Sequence, residues 1–191
     1  MAKPQVLQGL DTVAYVRLLK NAKTEQGQLI PYQTSLSFDP QRDSDTTQTK
    51  DGAVGTTSSL ETEIEVEFVN NISKVSDDLY EALLENEKVE IWIVNLKRKN
   101  SAGKLFSWYA QGSVTEDSND NDPDDNSTRD VTFSVDGVPQ RGWLELPESA
   151  KEELAYVFRG IGVISDDDQT GKGEGWKEAD RGSGMADTPK A

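Results

Sequence analysis

Residues 60–69, LETEIEVEFV, alternate strictly, with Leu60, Thr62, Ile64, Val66 and Phe68 on one side and Glu61, Glu63, Glu65 and Glu67 on the other. That period of two predicts a half-buried strand whose open face carries only carboxylates. Residues 11–19, DTVAYVRLL, and 88–96, KVEIWIVNL, are apolar on both sides and predict strands covered on both faces. A strand over 28–34 is expected at an edge or starting near Pro31, because proline lacks the N–H a ladder needs. LFSWYAQGSVT, 105–115, turns Phe106, Trp108, Ala110 and Val114 inward and Ser107, Tyr109, Gln111, Ser113 and Thr115 outward. RDVTFSVDG, 129–137, turns Val131, Phe133 and Val135 inward and Asp130, Thr132, Ser134 and Asp136 outward, before an Asp136-Gly137 turn. GWLEL, 142–146, reads as a further short strand.

The period changes between the glutamate strand and the 88–96 strand. Val75, Leu79 and Leu83 form one stripe flanked by Tyr80, Ala82 and Leu84, which predicts a short amphipathic helix. Ser73 or Ser76 caps it, Asp77 and Asp78 suit the positive end of its dipole, and Asn86 stops it. A second helix is expected over 147–159, capped by Ser149 and packed through Leu154, Val157 and Phe158. Residues 39–59, DPQRDSDTTQTKDGAVGTTSS, show no apolar period and read as a long structureless arm. Residues 97–104, KRKNSAGK, form a hairpin turn, 116–128 an acidic loop, and 165–191 a flexible polar tail. The fold class is therefore mainly β with one or two flanking helices, with a domain over 1–164 and a tail over 165–191.

Composition narrows the chemistry. The net charge of −15 excludes binding through phosphate contacts and repels anionic membrane. Histidine and cysteine are both absent, so disulfides, thiolate nucleophiles, Cys/His zinc sites and histidine bases are excluded. No run approaches the roughly 18 to 20 apolar residues of a membrane span. The start lacks a signal-peptide pattern, which predicts folding in the cytoplasm where the chain is made.

The remaining motifs fail on spacing. Asp120, Asp122 and Asp124 resemble a calcium loop, but Asp125 stands at the glycine position and Val131 at the glutamate position. The run Asp166, Asp167 and Asp168 meets Lys177 at that last position. GKGEG, 171–175, lacks phosphate-loop spacing. Four equivalent glutamates on one strand do not separate a general acid from a base, and the outward faces offer only Tyr109 to line a sugar cleft. No enzyme, cofactor or metal is expected. Lys97, Arg98, Lys99 and Lys104 form a basic cluster at a hairpin tip, either a solvated turn or an anchor on an acidic neighbour.

The outward faces of 61–67, 107–115 and 130–136 contain no lysine or arginine, although mixed charge would stabilise neighbouring strands. Glutamates about 7 Å apart repel by about 0.6 kcal/mol per pair in water, or about 1 kcal/mol for the screened row. The fold tolerates that cost. A wet, negative surface that does not adhere to a polyanion is the function such a face fits.

QTKDGAVG (48–55), LETEIEVEFV, KVEIWIVNL and GVPQRGWLEL (137–146), taken in order over residues 10–164, resemble the major tail protein of long-tailed siphophages infecting Gram-positive bacteria. The resemblance implies a β-sandwich or barrel-like domain whose sheets join into a common inner β-barrel, in hexameric rings stacked as a tube. It implies a lumen face of Glu61, Glu63, Glu65 and Glu67 past which double-stranded DNA moves. It also implies an inter-subunit arm carrying Asp43, Asp45, Lys50, Asp51 and Gly52. Partners would be further copies, the tape measure protein and tail terminator or initiator proteins, within a virion tail assembled in the host cytoplasm. A capsid decoration protein, or another structural β-module of a virion or surface appendage, is the alternative.

Overall fold

The computed structural model describes residues 6–147, 160–163 and 170–181. By contact the chain divides into two units, Met1–Leu146 and Pro147–Ala191. The first unit contains strands β1 (Thr12–Leu18), β2 (Gln28–Leu29), β3 (Gln33–Gln41), β4 (Ser44–Thr49), β5 (Gly52–Thr57) and β6 (Glu61–Val69). After helix α1 (Lys74–Leu84) come β7 (Lys88–Lys99), β8 (Leu105–Asp120), β9 (Thr128–Val135) and β10 (Gln140–Leu144).

All but β4 and β5 form one antiparallel sheet in the order β2-β1-β7-β8-β9-β6-β3, with β10 also pairing β8. The sheet curls until its ends approach. There the Gln33 amide accepts the Ala14 N–H at 2.9 Å and donates to the Ala14 carbonyl at 2.9 Å, standing in for a strand. Inside the curl lie Ala14, Val16, Ile64, Val66, Phe68, Val89, Ile91, Val131 and Phe133, all buried. Each larger one contributes roughly 1.5–3 kcal/mol by leaving water. Helix α1 buries Val75, Leu79 and Ala82 against this core, and its first turn is capped by Ser73, which accepts the Ser76 N–H at 3.2 Å. It ends at Leu84, and two residues later Asn86, at φ 53°, turns the chain away.

Gly112 fits only because it lacks a side chain: a Cβ there would lie 2.1 Å from the Ser134 carbonyl oxygen. Two residues on, the β8–β9 register shifts between Val114 and Glu116. The resulting bulge leaves Thr115 unpaired and turns the rest of β8 over.

The structure corrects three expectations. Residues 28–34 are not one strand, because Tyr32 at φ 57° makes a turn between β2 and β3. The arm over 39–59 is not structureless: β3 runs to Gln41, with Pro40 on an edge strand, and β4–β5 form a hairpin. Threonines at 46, 47, 49, 56 and 57 favour the strands, and Gly52 at φ 138° permits the turn. The acidic loop shrinks to 121–127, since β8 reaches Asp120 and β9 starts at Thr128.

In the second unit the Gly160 N–H donates to the Thr170 carbonyl at 2.9 Å and the Gly162 N–H to the Gly171 carbonyl at 3.0 Å. Of the 165–191 tail, residues 170–181 are described and include a short 3-10 turn at Glu178–Asp180. The helix expected over 147–159 and the 164/165 boundary lie outside the described residues.

Candidate functional surfaces

On β6, Thr62, Ile64, Val66 and Phe68 are buried, while Glu61, Glu63 and Glu65 are exposed and Glu67 is half-buried. The core therefore fixes which way the carboxylates point. Register adds more acid. Glu63 sits between Asp39 and Ser134, Glu65 between Ser37 and Thr132, and Glu67 between Ser35 and Asp130. Beyond β9, Glu116 lies opposite Thr132 and Ser118 opposite Asp130.

Asp130 experiences the crowding most. Burial, a hydrogen bond with Glu65 and the charges of Glu65, Glu67 and Glu116 push its carboxyl up to about 6. One of its oxygens, Oδ1, is sealed from solvent without a hydrogen-bond partner.

The same face continues onto β1 and β7, where its character changes. Arg17 Nε donates to Glu90 Oε2 at 2.8 Å and Arg17 Nη1 to the Glu25 carbonyl at 2.7 Å. The Tyr109 hydroxyl donates to Glu90 Oε1 at 2.7 Å and accepts from Gln111 Nε2 at 2.6 Å. Burial and the adjacent Glu90 push the Tyr109 phenol above its ordinary range. Lys88 pairs with Asp136 at 2.6 Å. The lysine-free, arginine-free surface is thus confined to β3, β6, β9 and the far end of β8.

The hairpin places Asp43 at its base, where its N–H donates to Ser58 Oγ at 2.9 Å. Asp45 pairs in register with Thr56, Lys50 and Asp51 occupy the turn, and Gly52 starts β5 opposite Thr49. Every hairpin residue from Ser44 to Thr57 is exposed. Two isolated strands are marginally stable in water, so this element gains by docking elsewhere.

The basic cluster is partly engaged within the chain. Lys97 reaches Asp11 at 3.0 Å and Lys104 reaches Glu145 at 3.5 Å. Arg98 lies over Phe106 at 3.8 Å, and Lys99 pairs in register with Leu105.

Sequence reading missed the buried pair Arg129–Asp117. Both side chains are fully buried, with Arg129 Nε donating to Asp117 Oδ1 at 2.8 Å and Nη1 to the Ser76 carbonyl at 3.0 Å. Arg129 also lies 3.6 Å from the Tyr80 ring centroid, joining α1 to β8 and β9. Its inward position was legible from the alternation with Val131 and Phe133. Its partner was hidden by the bulge.

A curled antiparallel sheet, one described helix and a projecting hairpin define a mainly β structural module. Residues 6–141 match the family of phage tail tube proteins. The chain belongs to that family, and it is a structural protein of the virion tail, not an enzyme. No curated protein matches it. Among solved structures it is similar to the SPP1 tail tube protein, with 14% identity, a TM-score of 0.68, and coverage of 95% of this chain and 96% of that one. A chain of the native gene transfer agent virion gives 8% identity and a TM-score of 0.56, covering 72% and 99% respectively. A chain of the PVC contractile injection sheath–tube complex gives 16% and 0.52, covering 73% and 93%.

Proposed function

We propose that the chain forms hexameric rings that stack into the tail tube of a siphophage infecting a Gram-positive host, assembled in the host cytoplasm. The acidic sheet face carries this reading. Six copies of Glu61, Glu63, Glu65 and Glu67 line the bore, with Asp39, Glu116 and Asp130 beside them. A wall offering phosphates no cation lets double-stranded DNA pass without pairing to it. Joining the free edges of neighbouring sheets into an inner barrel removes exposed strand edges. The hairpin, through Asp43, Asp45, Lys50, Asp51 and Gly52, locks onto an adjacent copy, and Lys97, Arg98, Lys99 and Lys104 lie at a subunit interface. The tape measure protein fills the bore before ejection, and initiator and terminator proteins bound the tube.

The test is electron microscopy of the concentrated protein at moderate salt. Hollow tubes with six-fold symmetry and the β6 glutamates on the bore are expected. A reconstruction with those glutamates on the outer wall overturns the lumen assignment, and small closed particles alone overturn the tube.

A further inference from the structure

The longest strand separates two surfaces of opposite character. β8 spans 16 residues, and at roughly 3.3 Å per residue its ends lie about 50 Å apart along the chain. At its start, aromatic rings pack edge to face or tilted against one another. Phe106 and Trp143 lie 5.7 Å apart, Phe106 and Trp108 6.1 Å apart, and Phe38 and Trp108 5.0 Å apart. Two guanidinium groups cover these rings: Arg98 over Phe106 at 3.8 Å and Arg141 over Trp108 at 5.5 Å. Trp143 stays 45% exposed, which is a large open area for an indole.

Arg98 and Arg141 form no ion pair with a described carboxylate, whereas Lys97 and Lys104 have Asp11 and Glu145. A stacked guanidinium keeps its in-plane N–H donors free to hold a carboxylate. Exposed tryptophan and arginine are also the residues that dominate protein interfaces. At the other end of β8, the 121–127 turn presents Asp122, Asp124 and Asp125, all exposed and none paired with a described base.

We infer that the aromatic–arginine platform at the β7–β8–β10 end receives the acidic 121–127 turn of the next copy along the tube axis. The inference rests on the tube reading and supplies its stacking contact. Complementarity within one chain favours a second copy as the occupant, since translating a copy along the strand brings acid onto base. Such a head-to-tail contact does not close on itself and propagates as a filament. An acidic chain with its free arginines at one end and its bare aspartates at the other also rejects the inverted orientation.

The test uses two charge-reversed chains whose folding is checked by circular dichroism. Arg98→Glu with Arg141→Glu makes both ends acidic, and Asp122→Lys with Asp124→Lys and Asp125→Lys makes both ends basic. Neither is expected to form tubes alone by negative-stain microscopy, while an equimolar mixture of preformed rings is expected to recover them. If either variant makes tubes alone, or the mixture stays dispersed, the stacking contact is overturned. Loss with the arginine variant alone assigns the platform to another occupant, including residues 147–191 of the same chain, and equally overturns it. Absence of rings and tubes from the unaltered protein defeats the tube reading itself, so the two failures are distinguishable.

Discussion

One sheet face carries two electrostatic arrangements. On β1, β7 and the first half of β8, Arg17, Glu90, Tyr109 and Gln111 hold one another in a continuous hydrogen-bonded chain. On β3, β6 and β9, Asp39, Glu63, Glu65, Glu67 and Asp130 crowd together with no cation at any position paired directly with them. Both halves cover the same apolar core, but Glu90 is buried and needs its partners, whereas Glu61, Glu63 and Glu65 stand open to solvent. The networked half spends its polar groups on its own fold. The acidic half leaves them directed outward at some cost to stability, which fits the bore face proposed for it.

Beneath the acidic half lies the buried Arg129–Asp117 pair, and removing its arginine has the largest expected effect. Arg129→Ala leaves Asp117 buried and unpaired and should cost about 3–5 kcal/mol in urea unfolding. A loss below about 1 kcal/mol would show that water reaches Asp117. In the networked half, Arg17→Ala should cost less, about 2–3 kcal/mol, because Tyr109 still donates to Glu90. Equal losses from Arg17→Ala and from an exposed control such as Lys50→Ala would erase the contrast between the halves.

The smallest effect separates the halves by pH. Asp130 has its folded value raised to about 6 from 3.8, so the folded state takes up this proton before the unfolded chain does. Its contribution is unfavourable above about pH 6 and is relieved as pH falls from there toward the unfolded value. Discounted for solvent screening, the gain on acidification should be about 1 kcal/mol. Asp130→Asn should abolish this rise in denaturant midpoints between pH 7 and pH 5. An unchanged profile in that variant would remove Asp130 from the account.

Much of the fold was legible because burial enforces period. The β6 alternation, the Val75-Leu79 stripe and the doubly apolar β7 all lie where the pattern puts them. The β4–β5 hairpin was not legible, because a pair of strands with no core leaves no apolar trace. Of the site, the glutamate row was readable from one strand, but Asp39, Glu116 and Arg17 joined or bounded it only through register between distant strands. Local sequence carries no such information.

The bulge at Thr115 acts as a reading-frame shift written in side chains. Upstream of it, odd-numbered residues of β8 look outward; downstream, even-numbered ones do, so Glu116 and Ser118 join the acidic face while Asp117 is delivered to Arg129. A single extra residue therefore sets both the charge of the face and the ion pair that anchors it. Pairing Thr115 in register instead of bulging it out would leave every letter intact and still exchange the two sides of the message, whereas deleting it would keep both sides as they are.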